Sequence, residues 1–183
     1  MFIPEMRVYV KVIILMLKLT INEDTDLREK RLQCLQYLRE HQVDVGLTSS
    51  APSRSRFLLA IHEHGAPVMR IPARPVITPG LSRAETKAAM TDALYSAAEA
   101  AMTGELSSVV SAFEEAGQAG ADGIRAYIDS GISPPNSAVT VSGGWIYNRV
   151  ARTGVPVSGK GFNKPLYDTG ELYNSFAWEI TSK

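Results

Sequence analysis

Four prolines, at positions 67, 72, 75 and 79, forbid a regular helix through the stretch 66–80. Each fixes its own φ near −65°, removes a backbone donor and biases the residue before it towards extended geometry. The stretch therefore reads as a stiff extended arm. It divides a short compact N-terminal part from a long helical part, and the remaining segments are constrained by that break.

On the N-terminal side, residues 8–21 form an apolar run interrupted by Lys11 and Lys18. The run is too short and too charged for a membrane-spanning helix, which needs roughly 20 apolar residues, and no small-residue cleavage site follows it. It reads as a strand apolar on both faces and so buried, with an exposed apolar edge that pairs with a neighbouring subunit as the other reading. After the polar break at 22–26, Leu27, Arg31, Cys34, Leu35 and Leu38 fall on one face of a helix that fades near Gln42, with Asp24 or Asp26 as its N-cap. Val43, Val45 and Leu47 alternate and read as a short strand. Phe57 to His64 reads as a short helix that Gly65 stops.

On the C-terminal side, Ser82 with Glu85 forms a capping box for a long helix whose small face carries Ala84, Ala88, Leu94, Ala97 and Ala101 and which ends at Gly104. A second helix runs from Leu106 to Ile128, with Val109, Phe113, Ala116, Gly120, Ile124, Tyr127 and Ile128 as its stripe. Its glycines at 117, 120 and 123 each cost up to about 1 kcal/mol of helix stability against alanine. They fit a close approach by another backbone, or a bend. Residues 130–164 form an extended loop rich in Gly and Pro, in which 139–141 and 145–147 can pair as a hairpin across Gly143-Gly144. A short helix over 168–175 and a closing strand over 176–180 complete the chain.

The fold class expected is α+β: a small mixed or antiparallel sheet packed against two longer helices, with long Pro/Gly-rich arms and loops. The sheet would combine 8–21, 43–47, the Trp145 region and 176–180. The 183 residues fit a single domain, 1–183, carrying the apolar strand and the extended loop. Lys plus Arg equals Asp plus Glu at 19 each, which argues against a dedicated nucleic-acid binder. The lone Cys34 permits no intrachain disulfide and reads as a small buried hydrophobe.

Motifs that suggest chemistry weaken on inspection. Gly154 to Gly161 approaches a phosphate-cradling loop, but Gly161 stands where Ser or Thr should hold magnesium and Phe162-Asn163-Lys164-Pro165 cannot open the helix that loop requires. Asp168-Thr169-Gly170 is the aspartic-protease triplet, yet that chemistry needs two carboxylates sharing a proton. Here Asp168 reads as a helix cap, with Glu171 completing a capping-box-like pair. His62 and His64, two apart on a helix, point away from each other and from any shared metal. No catalytic, cofactor or metal residues are assigned. Arg149, Arg152, Lys160 and Lys164 lie among Trp145, Tyr147 and Phe162, a pattern open to a channel or partner loop as well as to a solvated one.

Three ordered stretches carry a resemblance. Leu58 to Gly65 is similar to an A-x-x-H-E-F-G pattern; Ile71-Pro72-Ala73-Arg74-Pro75 is similar to an I-P-A-R-P-F arm; and Lys164 to Phe176 is similar to P-L-x-D-T-G-x-L-x-x-S-I, with Pro165, Leu166, Asp168, Thr169, Gly170, Glu171 and Leu172 setting a turn and helix start. Pro134-Pro135-Asn136 resembles the Pro-rich step between them. Together they resemble the neck or tail-completion (head–tail joining, virion morphogenesis) proteins of tailed bacteriophages, in order and spacing from about Val43 to the C-terminus. The chain departs from that pattern at His64 and Val76, where an aromatic is common, over 141–159, which is longer than the usual link, and at the N-terminal run. The resemblance implies a non-enzymatic virion protein, assembled in the bacterial cytoplasm, that forms a closed hexameric or dodecameric ring at the phage neck. Its partners would be itself, the head connector, adaptor or portal proteins, and the tail terminator or tail tube proteins. DNA would pass through the ring without sequence-specific binding, and no cofactor or membrane would be involved. A tail-tube terminator is the neighbouring alternative, and an aspartic protease using Asp168 the remote one. Within the arm, Arg74 either forks onto a neighbouring subunit's carboxylate or ties its own arm down.

Overall fold

The computed structural model describes residues 25–69, 71–148 and 152–183. The apolar run 8–21 and Arg149 lie outside them. Among the described residues the chain is α+β, with two small antiparallel two-stranded sheets and two long helices. In chain order these are α1 (Thr25–Glu40), β1 (His41–Leu47), α2 (Ser53–His64), a 3-10 turn at Pro67–Met69, α3 (Ile77–Leu81), α4 (Ala84–Thr103), α5 (Leu106–Asp129), α6 (Ala138–Ser142), β2 (Gly144–Asn148), β3 (Thr153–Val157), α7 (Glu171–Ser175) and β4 (Phe176–Ser182). They group into two compact units. The first takes 25–46, 84–121 and 177–183; the second takes 47–83 and 122–176. Both are built from discontinuous segments, so neither is visible as a block of sequence.

In the first unit β1 pairs with β4. Lys183 N–H donates to Glu40 O at 2.8 Å, and Thr181 Oγ1 donates to Asp44 at 2.6 Å. Val43, Val45, Trp178 and Ile180 from this sheet meet Cys34 and Leu38 of α1, Ala97 and Ala101 of α4, and Val109, Ala112 and Phe113 of α5 in one core. Small residues on α4 let the helices approach closely, and the larger Phe113 fills the space beside Tyr37. The buried side of α4 is Thr86, Met90, Ala93, Ala97 and Ala101. Ala84 and Ala88, expected on that face, are exposed. The helix begins at Ala84, while Ser82 closes α3 by donating its N–H to Thr78 O at 3.0 Å. Asp26 lies inside α1 and pairs with Lys30 at 2.8 Å. Cys34 is fully buried; burial first, then the Glu105 charge, pushes its thiol pKa up, so it stays protonated and inert.

One glycine of α5 has a concrete reason. A Cβ at Gly117 would lie 2.6 Å from the Trp178 ring, so the indole uses the missing side chain as its seat and donates from Nε1 to Gln118 at 3.3 Å. The neighbour is a side chain, where a backbone was one of the two readings.

In the second unit, α5 continues as residues 122–129, with Ile124 and Ile128 fully buried. The arm is less extended than the prolines imply, because Ile77–Leu81 closes into the helical turn α3 with Pro79 inside it. Proline is tolerated in the first turn of a helix, where its missing N–H has no intrahelical acceptor to lose. The Trp145 segment does not join the first sheet. It forms its own hairpin with β3, pairing Trp145 with Pro156, Ile146 with Val155 and Tyr147 with Gly154. Residues 139–141 are helical, although their alternation suggests a strand. Ser137 Oγ accepts from Thr140 N–H at 3.2 Å, and Gly143 leaves the turn at φ 78°, so both ends of α6 are specified locally. The stretch 130–164 is thus not an open loop.

Candidate functional site

The stretches 58–65, 71–75 and 164–176 all fall in the second unit. The first two interlock. α2 carries His62 and Glu63 to its C-terminal end, and Gly65 leaves it at φ 72°. A side chain at Gly65 would meet Ala73 N at 2.8 Å and Ile71 O at 3.0 Å, so the arm lies directly on the glycine. Ala66 and Ile71 exchange backbone hydrogen bonds at 2.8 and 3.0 Å, and Arg74 N–H donates to His62 O at 2.6 Å. Glu63 Oε1 accepts from Val76 N–H at 2.8 Å and Ile77 N–H at 3.0 Å, capping α3 from outside its own segment. Sequence reasoning assigns Glu63 no role, because its acceptor is needed by a helix start more than ten residues away. The local signal that points to it is the absence of any capping side chain at Val76.

Arg74 completes the lock. It is only 7% exposed. Its Nε donates to Pro134 O at 2.7 Å and its Nη2 to Pro135 O at 2.9 Å. Of the two uses open to it, the structure shows the internal one: the fork ties its own arm to the Pro-rich step after α5. Planar guanidinium geometry suits two adjacent carbonyls as well as it suits a carboxylate. Burial draws its pKa below the ordinary arginine value. Pro72, Ala73 and Pro75 remain exposed and Ile71 half-buried, so the arm is braced from behind and open in front.

His62 lies beside this fork with a buried Nδ1 that has no hydrogen-bond partner. Burial first, and then the Arg74 charge, lower its pKa. The unfolded chain, with an ordinary value of about 6.5, takes up the proton before the folded one does. Stability from the neutral imidazole is therefore fully present above about pH 6.5 and is lost as pH falls through that value towards the lower folded pKa. Urea unfolding at neutral pH and at about pH 5.5 is expected to show a loss of stability on acidification that His62→Gln reduces. An equal loss in both proteins would remove His62 from the account.

The third stretch is organised by two lysines. Lys160 Nζ donates to Lys164 O at 2.6 Å and Tyr167 O at 2.5 Å, either side of Leu166, whose backbone is left-handed at φ 63°. A non-glycine residue in that region costs about 1 kcal/mol or more, and the ammonium bridges the Lys164 and Tyr167 carbonyls across that turn. The pKa of Lys160 is lowered, by burial first and also by the Arg74 charge, against the raising effect of Asp168. Lys164 Nζ pairs with Asp129 Oδ1 at 2.6 Å over the Tyr167 and Tyr173 rings, and Tyr173 OH donates to Asp129 Oδ2 at 2.8 Å. Those bonds hold the Asp129 pKa below its ordinary value, Lys164 contributing most.

Several expected roles change. Asp168 is exposed and does not cap the last helix; Gly170, left-handed at φ 82°, occupies the cap position, and Thr169 Oγ1 accepts from Glu171 N–H at 3.3 Å. The reason is geometric: the left-handed Gly170 turns the chain so that Thr169, one residue later than expected, faces the helix start. Pro165, Gly170 and Leu172 are buried, and Glu171 approaches Arg54 at 4.0 Å. Of the basic set, Arg149 lies outside the described residues. Lys160 and Lys164 are engaged within the unit, while Arg152 is exposed in a left-handed conformation at φ 52°. The Gly154–Gly161 stretch begins within strand β3, and the helix that a phosphate-cradling loop requires does not follow it directly. No cluster of three or more His, Cys, Asp or Glu side chains suited to a metal occurs among the described residues. No protein-family model, curated protein or solved structure matches this chain.

Proposed function

We propose that this chain is a structural virion protein that joins the head connector to the tail of a tailed-phage particle by forming a ring at the neck. The observation that carries the reading is the braced arm. Two of the three stretches that resemble neck proteins, 58–65 and 71–75, are folded onto each other around Arg74. This leaves Pro72, Ala73 and Pro75 presented outward on a backbone that is already ordered. An arm held in one conformation loses little entropy on docking, which favours a clasp between subunits. Head-to-tail contacts of this kind close into rings when the rotation permits. In this reading the internal bonds of Arg74, Glu63 and Lys160 are scaffolding, and the protein does no chemistry.

The test is assembly. Light scattering after size exclusion, with negative-stain imaging alone and with a purified head connector, is expected to give a closed ring that stacks on the connector. Asp168→Asn is expected to assemble as the unaltered chain does. A persistent monomer that binds neither connector nor tail components would overturn the reading.

A further inference from the structure

Among the described residues, the β2–β3 hairpin gathers four of the exposed large apolar side chains of its unit. Trp145 is 71% exposed, Tyr147 62%, Ile146 50% and Val155 40%. Residues paired across an antiparallel ladder share a face. Trp145, Tyr147 and Pro156 therefore lie on one side, and Ile146 and Val155 on the other. Gly154, opposite Tyr147, gives the Trp145 ring room: a Cβ there would lie 3.1 Å from Trp145 Cε3. Both faces are apolar and both are open, whereas a strand serving a one-sided core alternates apolar with polar. A lone two-stranded hairpin is marginal in water and needs cover.

The base of the hairpin is fixed. Lys160 N–H donates to Thr140 O at 3.0 Å and Gly161 N–H to Val141 O at 2.9 Å. Gly143 and Gly159 pass so closely that a Cβ at either would meet the other's backbone within 3 Å. The aromatic surface is thus presented in a set position, which lowers the entropic cost of docking.

We propose that this hairpin docks on a second copy of the chain. Three observations favour that occupant. The ten strand residues include no Lys, Arg, Asp or Glu, so the paired faces themselves offer no charge to a phosphate backbone or an acidic peptide; the hairpin's two arginines, Arg149 and Arg152, stand in the link between its strands. The whole chain has equal numbers of acidic and basic residues, so copies meet without net repulsion. The exposed parts of the four apolar side chains come to roughly 400 Å², taking about 150–250 Å² for a whole aromatic side chain. That is about half of the roughly 800 Å² that each partner contributes to a stable interface. Trp and Tyr at its centre are the residue types that carry most binding energy. The proposal deepens the ring reading, on which it rests for the identity of the occupant.

The test uses the full chain and three variants: Trp145→Ser with Tyr147→Ser, Tyr147→Glu alone, and Phe57→Ser as a control at an exposed aromatic elsewhere in the same unit. Circular dichroism establishes that each folds, and light scattering over a wide concentration range gives the association midpoint. Both hairpin variants are expected to move the midpoint up about a hundredfold or more, two aromatic anchors being lost or a charge placed among them. The Phe57 variant is expected to leave it in place. Unchanged assembly of the hairpin variants would overturn the docking proposal and leave the ring reading standing. Association that depends on the hairpin, without connector binding, would support the docking proposal and sink the neck reading. A chain that is monomeric throughout, or one that floats with phosphatidylcholine vesicles through Trp145 and Tyr147, would overturn self-docking.

Discussion

Replacing Arg74 with alanine is expected to destabilise the second unit by about 3 kcal/mol, since hydrogen bonds from a charged donor contribute about 1.5–3 kcal/mol each. Two such bonds, to Pro134 O and Pro135 O, disappear together. For a chain of this size the melting temperature should fall by roughly 6–12 °C, at about 2–4 °C per kcal/mol. Arg74→Lys should recover less than half of the loss, because an ammonium on a flexible stem cannot hold two adjacent carbonyls in one plane. Thermal unfolding followed by circular dichroism measures both. A loss under about 0.5 kcal/mol, the range of ordinary surface substitutions, would show that the arm is held by something other than the fork. The ring reading adds a consequence: the same variant should assemble poorly even where it is still folded, because the arm is then ordered only on docking.

Gly80→Ala is expected to cost about 2–3 kcal/mol, within the range for overpacking a filled interior. The added Cβ would lie 2.7 Å from Ile124 Cα and 3.2 Å from Ile124 N, so α3 meets α5 backbone to backbone at this point. A flexible side chain can swing away; a helix backbone cannot. The φ of Gly80 is not in the left-handed region, so alanine's better helix propensity, worth up to about 1 kcal/mol, works against the loss without cancelling it. Gly131→Ala is the informative comparison. Gly131 sits at φ 88°, and no atom lies within 4 Å of the place an alanine methyl would take. It therefore tests backbone strain without steric conflict and should cost about 1 kcal/mol. Equal effects at the two positions in a chemical denaturation series would mean that the helix contact is softer than its distances imply.

The two long helices were legible because their signal is local. On α5, Val109, Phe113, Ala116, Gly120, Ile124 and Ile128 recur at helical spacing, and all are buried. Gly65 likewise announces the end of α2 by needing a positive φ that few other residues adopt. The arm was half legible. Prolines at 72 and 75 keep Ile71–Pro75 out of regular structure, but nothing within it reveals that Glu63 will cap the helix that follows. The misread segments are those where two local rules compete. Residues 139–141 alternate like a strand, yet Ser137 and Gly143 supply both ends of a helical turn. Asp168 looks like a cap, yet the left-handed Gly170 hands the role to Thr169.

The candidate site divides along the same line. By itself the sequence determined where the two long helices run, that Gly65 ends α2, and that Arg74 stands in a segment kept out of regular structure by its prolines, because those properties depend on neighbours within about one helical turn. The tertiary structure alone decided which carbonyls Arg74 would hold 60 and 61 residues away, that β2 would pair with β3 and not with the β1–β4 sheet, and that Lys160 and Lys164 would be engaged inside their own unit. A buried donor must find an acceptor, but its choice among distant ones is set by how the intervening chain closes. That closure is a property of the whole packing, and no short stretch of residues carries it.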